Sequence, residues 1–158
     1  MLDAGCGTGE NALYLGSLGV SVLGVDVAET ALAIARAKAA DRGIKVEFAA
    51  TEAFELERLG RKFDTVLDSG LFHTFDGDER PIYVASLAAV TKNNGTLYVL
   101  CFSDKGAETG PHPISQKELR AAFNPSKGWN VVTIDPNRVQ TNFHDEGAPA
   151  RLATIKRT

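Results

Sequence analysis

Three glycines at alternate positions, Gly5, Gly7 and Gly9, stand in the run Asp3-Ala4-Gly5-Cys6-Gly7-Thr8-Gly9. Without a Cβ, the backbone can turn sharply there and approach a ligand closely, and a helix that follows points its N-terminus at that ligand. A second acid, Asp26, closes the next apolar run, Val20-Ser21-Val22-Leu23-Gly24-Val25. An acid at the end of the second strand of an α/β nucleotide-binding domain accepts hydrogen bonds from the two ribose hydroxyls of an adenosine. Together the two features predict an adenosine-containing cofactor. The alternative for Asp26 is an N-cap for a helix starting near Ala28.

Charge narrows the cofactor. A dinucleotide fingerprint reads G-x-G-x-x-G and rests a pyrophosphate on the helix N-terminus. Here the third glycine comes one place early and is followed by Glu10. Glu10, with Asp3 beside the same turn, predicts repulsion of a pyrophosphate. S-adenosylmethionine carries a sulfonium and an ammonium against one carboxylate, so the same acids favour it over NAD.

Strand-like and helical runs alternate along the chain, the pattern of a mostly parallel sheet covered on both faces. Strands are predicted near 1–4, 20–25, 45–49, 64–69, 95–102, 129–135 and 150–157. Helices are predicted near 10–18, 28–42 and 79–92, with a fourth running from a Ser115/Glu118 capping box to about 123. The second holds seven alanines between Ala28 and Ala40, which favour helix and close packing. Asp76 and Glu79 form a further capping box, with Pro81 in the first turn. Residues 103–113 and 136–149 read as loops.

Leu2-Asp3-Ala4-Gly5-Cys6-Gly7-Thr8-Gly9 together with Gly24-Val25-Asp26-Val27 closely resembles the class I S-adenosylmethionine-dependent methyltransferases. The resemblance continues through Phe63-Asp64-Thr65-Val66-Leu67-Asp68 and Gly95-Thr96-Leu97-Tyr98-Val99-Leu100, four motifs in family order. Ser69-Gly70-Leu71-Phe72-His73-Thr74-Phe75 is similar to the subgroup that methylates small heterocyclic, phenolic or quinone-derived compounds, thiopurine methyltransferases among them. The resemblance implies a Rossmann-like, doubly wound, seven-stranded sheet with an antiparallel last strand, in a single domain over 1–158. It also implies helices ahead of the first strand. Because Met1-Leu2 opens inside that strand, the expectation is an N-terminally shortened domain.

The resemblance also distributes roles. The amides around Gly5, Gly7 and Gly9 approach the methionyl part of S-adenosylmethionine, and Asp3 holds the loop or reaches the ammonium. Asp26 takes the ribose, Val27 packs on the adenine, and Glu52 beside Ala53 accepts from the adenine amino group. Asp68 and Ser69 offer carbonyls near the methionyl end. His73 is the candidate general base for an acceptor that must lose a proton, its alternative being a pocket-lining residue. Phe72, Phe75 and His112 are candidates for the acceptor pocket, core packing being equally open for the phenylalanines.

With 17 Lys and Arg against 20 Asp and Glu, the 158-residue chain carries a net charge of −3, without the basic footprint of a nucleic-acid binder. Its apolar runs fall short of a membrane span. Cys6 and Cys101 lack metal-ligand spacing, as do His73, His112 and His144, so no metal site is predicted and a reducing, cytoplasmic setting is expected. The leading reading is a methyltransferase that acts on O, S or N of a small aromatic or heterocyclic acceptor and leaves S-adenosylhomocysteine. The alternatives are an NAD-dependent oxidoreductase and a cofactor-binding module inactive in this shortened form.

Overall fold

A computed structural model describes residues 1–105, 112–141 and 144–158. Seven strands form one sheet: β1 (Leu2–Ala4), β2 (Leu23–Asp26), β3 (Glu47–Ala50), β4 (Phe63–Ser69), β5 (Thr91–Phe102), β6 (Trp129–Thr141) and β7 (His144–Arg157). Helices α1 (Glu10–Ser17), α2 (Glu29–Arg42), α3 (Glu79–Val90) and α4 (Gln116–Ala122) connect them. The strand order is β3-β2-β1-β4-β5-β7-β6, and β7 runs antiparallel to both neighbours. This is the expected doubly wound sheet with an antiparallel last strand.

β1 lies at the centre, paired in parallel with β2 on one side and β4 on the other. The chain winds outward through β2 and β3, then crosses β1 to begin β4. The crevice at the C-terminal ends of β1 and β4 is therefore the switch point where open α/β sheets bind ligands. Capping follows the sequence closely. Gly43 ends α2 at φ 64°. Asp76 Oδ1 accepts from the Glu79 amide at 3.0 Å while Glu79 Oε2 accepts from the Asp76 amide at 3.0 Å. Ser115 and Glu118 close the same reciprocal pair at α4.

The two faces of the sheet differ. Val66, Leu97, Val99, Ala153 and Ile155 join Tyr83, Leu87 and Val90 of α3 and Leu119 of α4 in one buried cluster, capped by Phe123 and Trp129. Leu67, Tyr98, Leu100 and Leu152 alternate with them on the other face and remain only half-buried. The period of two thus separates a sealed face from a partly open one.

Two boundaries depart from the sequence reading. α3 stops at Val90, and residues 91–94, expected to end the helix, already belong to β5. Asn94 sits there at φ 62°, and the β4–β5 register shifts between Phe63 and Thr65, so the strand enters irregularly. The larger departure is 136–149: β6 runs on to Thr141 and β7 starts at His144, with Arg138 paired to Pro149 and Val139 to Ala148. Pro136 reads as a strand breaker, but β6 is the sheet's edge strand, where a missing amide donor does no harm. Pro149 lies beyond the last β5–β7 pair, Phe102 with Ala150, and its carbonyl accepts from Ser103 N at 3.0 Å. The β6–β7 hairpin thus projects past the end of β5.

Candidate active site

The glycine loop is hydrogen-bonded to β2. Gly5 N and Cys6 N both donate to Val25 O at 2.9 Å, and Gly7 N donates to Asp26 Oδ2 at 2.8 Å. All three glycines take positive φ, 72°, 53° and 83°, a region that side chains disfavour. They differ in surroundings. A Cβ on Gly5 would lie 2.8 Å from Leu71 Cδ2, and one on Gly9 would lie 2.8 Å from Ala35 Cβ, so those two permit packing. Gly7 has nothing within 4 Å and faces open space.

Asp26 is not the N-cap of α2. That position is Ala28, without a side-chain cap, while Asp26 Oδ1 accepts from Ala28 N at 2.9 Å in a tight turn ahead of the helix. Each Asp26 oxygen therefore holds one amide and keeps further acceptor capacity.

Beside it a cavity is lined by Ala4, Gly5, Val25, Asp26, Val27, Thr51, Glu52, Ala53, Phe54, Leu56, Leu71 and Phe75. Of the expected cofactor residues, Gly5, Asp26, Val27, Glu52 and Ala53 meet in this one space. Val27, although apolar, is 61% exposed, an isolated apolar surface at the cavity wall. A mainly apolar lining that carries two carboxylates, Asp26 and Glu52, suits an adenosine, with its flat base and its ribose and amino donors. Leu71 and Leu56 were not anticipated. The only signal for Leu71 was its place after Gly70, which turns at φ 93°.

Beneath the loop lie two buried acids. Asp3 is 1% exposed, and its Oδ2 has no hydrogen-bond partner among the described residues. Burial, then the nearby Asp68 charge, pushes its carboxyl up to about 7, against a stabilising bond from the Ala12 amide. Asp68 is fully buried and raised to about 6 by that burial, although Leu71 N, Phe72 N and Tyr83 OH all donate to it, at 2.9, 3.2 and 2.9 Å. Its carboxylate organises the turn after β4. A buried carboxylate with one oxygen left unsatisfied beneath a ligand-facing loop fits a cationic group. Ser69, at the end of β4, pairs with Leu100 and does not line the cavity.

Glu10 requires a correction. Its carboxylate is turned to α2, at 2.7 Å from Lys38 Nζ and 3.2 Å from Arg42, and hydrogen bonds from these two, Lys38 first, hold it down at about 2. Lys38 and Arg42 compensate its charge, so Glu10 adds no uncompensated negative charge beside the loop.

His73 is 5% exposed, in a 3-10 turn Phe72–Thr74, with its ring stacked on Phe102 at 4.4 Å between centroids. Its Nδ1 accepts from Phe102 N at 3.2 Å. Burial, and then His112 nearby, lowers its pKa to about 4, so the ring is neutral at pH 7. With Nδ1 serving as acceptor, the proton belongs on Nε2, an assignment from the hydrogen bond. Phe72 is wholly buried, 5.3 Å from the Phe123 ring and under the Arg80 guanidinium, and is core, not pocket wall. Phe75 does line the cavity, between Phe54 and Tyr83. His112 is exposed at φ 45° and influences His73 and Asp76 through its charge. Burial pushes the Cys6 and Cys101 thiols up to about 12, which leaves no thiolate nucleophile at pH 7.

Comparison with known proteins agrees with this geometry. Residues 1–95 match a family described as a methyltransferase domain. The chain is 38% identical to a 2-heptyl-1-hydroxyquinolin-4(1H)-one methyltransferase of Mycobacteroides abscessus, over 94% of this chain and 67% of that protein. Its fold superimposes at a TM-score of 0.86 and 33% identity on a protein solved in work on the conversion of a disulfide bond into a thioacetal group during echinomycin biosynthesis, covering 99% of this chain and 74% of that one. The same fold recurs, at 0.84 but only 21% identity, in a SAM-dependent methyltransferase of Methanosarcina mazei, covering 99% and 91% of the two chains. The dinucleotide reading falls with these matches, and the chain belongs to the S-adenosylmethionine-dependent methyltransferase family.

Proposed function

We propose that this chain methylates an oxygen, sulfur or nitrogen of a small aromatic or heterocyclic acceptor, in a cytoplasmic setting that suits its two free cysteines. The observation that carries the cofactor half is the meeting of Asp26, Val27, Glu52 and Ala53 with Gly5 in one cavity. The acceptor class draws on the hydroxyquinolone-methylating relative and on the aromatic groups beyond β4.

S-adenosylmethionine supplies a methyl group on a cationic sulfur that a nucleophile displaces in line. Asp26 accepts from the ribose hydroxyls with the capacity left by Gly7 and Ala28. Val27 and Ala53 flank the base, and Glu52 takes its amino group. The amides of the glycine loop, with Asp3 below them and Asp68 and Ser69 at the end of β4, hold the methionyl end. His73 cannot take a proton through Nδ1, which the Phe102 amide occupies, and Nε2 already carries one. It therefore acts as a fixed donor that orients the acceptor, and alignment supplies the rate.

Titration with S-adenosylhomocysteine, followed by turnover over a panel of phenols, thiols and hydroxylated heterocycles, tests this reading. Cofactor binding without methylation of any panel member would leave only the binding-module alternative standing.

A further inference from the structure

The structure has a second cleft, away from the cofactor cavity and of opposite charge. It holds about 500 Å³ where the exit of β5, the start of α4 and the projecting hairpin meet. Among the described residues its lining includes Lys105, Arg138 and Arg151, with Gln116 and Asn137 as neutral donors, and no acid. In a chain of net charge −3, three cations from three separate elements around one cleft form a local reversal.

Among the described residues, only one of the three is neutralised. Arg151 is 4% exposed, is ion-paired to Asp104, and donates through Nε to Ile114 O at 3.1 Å. Arg138 donates Nε to Glu146 O at 2.6 Å and a terminal nitrogen to Gly147 O at 3.0 Å. Those carbonyls fix the guanidinium without cancelling its charge. Among the described residues neither Arg138 nor Lys105 is paired with a carboxylate. A preorganised guanidinium with unused N–H groups, beside a lysine, is the arrangement that receives carboxylate or phosphate oxygens.

We propose that this cleft is an anion-binding subsite for a carboxylate or phosphate group, with Arg138 and Lys105 as its ligands and Arg151 as a buried support. It abuts the acceptor side: Phe102, whose amide holds His73, is followed directly by Ser103 at the cleft wall. The anion is either a group on the methyl acceptor, a source that rests on the proposed function, or a separate small anion.

Calorimetry of the full chain with inorganic phosphate at low ionic strength tests the site, in the wild type and in Lys105→Gln and Arg138→Gln. Loss of one charge-assisted partner weakens phosphate roughly tenfold in each variant, with S-adenosylhomocysteine affinity unchanged. Lys105 is exposed and its side chain has no partner among the described residues, so that variant stays informative if loss of Arg138 loosens the hairpin. Parallel turnover with a neutral phenol and the same phenol bearing a carboxylate separates the sources. A KM raised by Lys105→Gln for the carboxylated acceptor alone assigns the anion to the acceptor. Phosphate binding lost in the variants with both KM values unmoved assigns it to a separate ligand. No phosphate binding to the wild type, or binding in both variants as tight as in the wild type, overturns the proposal whether or not methylation is found.

Discussion

The cofactor cavity and the second cleft sit at the same C-terminal edge of one sheet, yet they are built in opposite ways. At β1–β2–β3 the lining charges are Asp26 and Glu52, with Asp3 and Asp68 buried below. At β5–β7–β6 they are Lys105, Arg138 and Arg151. The first is assembled from short parallel strands and the turns that leave them, with a lining that runs from Ala4 to Phe75. The second draws on residues from 103 to 151, joined by an antiparallel hairpin. Turns at the ends of parallel strands therefore produce one site, and an antiparallel hairpin produces the other.

The largest expected effect is at the acidic end. Asp26→Ala should weaken S-adenosylhomocysteine by on the order of 100-fold or more, since bonds to a charged acceptor contribute roughly 1.5–3 kcal/mol each. The same variant should bind phosphate at the basic cleft as the wild type does. Calorimetry with both ligands reads the contrast directly, and unchanged cofactor affinity would remove Asp26 from the ribose site.

Between the two ends, His73→Ala should lower kcat about tenfold, with no dependence on acceptor pKa. A plot of kcat against acceptor pKa should give parallel lines for wild type and variant. A deficit that vanished for ionised acceptors would restore the general base.

Asp3 makes the comparison depend on pH. Its carboxyl, raised to about 7, is protonated below that value and charged above it. Affinity for the cationic cofactor should therefore rise severalfold as pH increases through 7, and Asp3→Asn should flatten the profile. Folding changes the other way. The folded chain holds this proton up to about pH 7 and the unfolded chain only to about 4, so its stabilising contribution is present below pH 4 and lost as pH rises through 7. Asp3→Asn should thus melt above the wild type at pH 8, with the gap narrowing as pH falls below 7 and closed near pH 4 in differential scanning calorimetry.

The smallest effect is expected at Glu10. Because Lys38 and Arg42 already pair with it, Glu10→Gln should leave cofactor affinity within about a factor of two. A tenfold loss would mean that its charge reaches the cofactor after all.

Most of the cofactor site could be read from the chain because its chemistry is local. Alternating glycines at positive φ, an acid at a strand end and an apolar residue after it lie within residues 3–27, and backbone geometry alone brings them together. The strand and helix order, the caps at Asp76, Ser115 and Gly43, and the mostly parallel sheet follow from patterns of two to four residues for the same reason.

Only the tertiary structure decided the rest. The direction of Glu10, the burial of Phe72 and the occupied Nδ1 of His73 depend on side chains from α2 and Phe123 and on a backbone amide of β5. Residues 136–149 read as loop, yet 136–141 and 144–149 are strand, since Pro136 lies on the edge strand β6, where a missing amide donor is tolerated. Local propensity and spacing specify what a segment can form and which ligands its residues suit. Which charges are compensated, which rings face a cavity and which donors are already engaged depends on partners dozens of residues away, and short-range pattern carries no record of them.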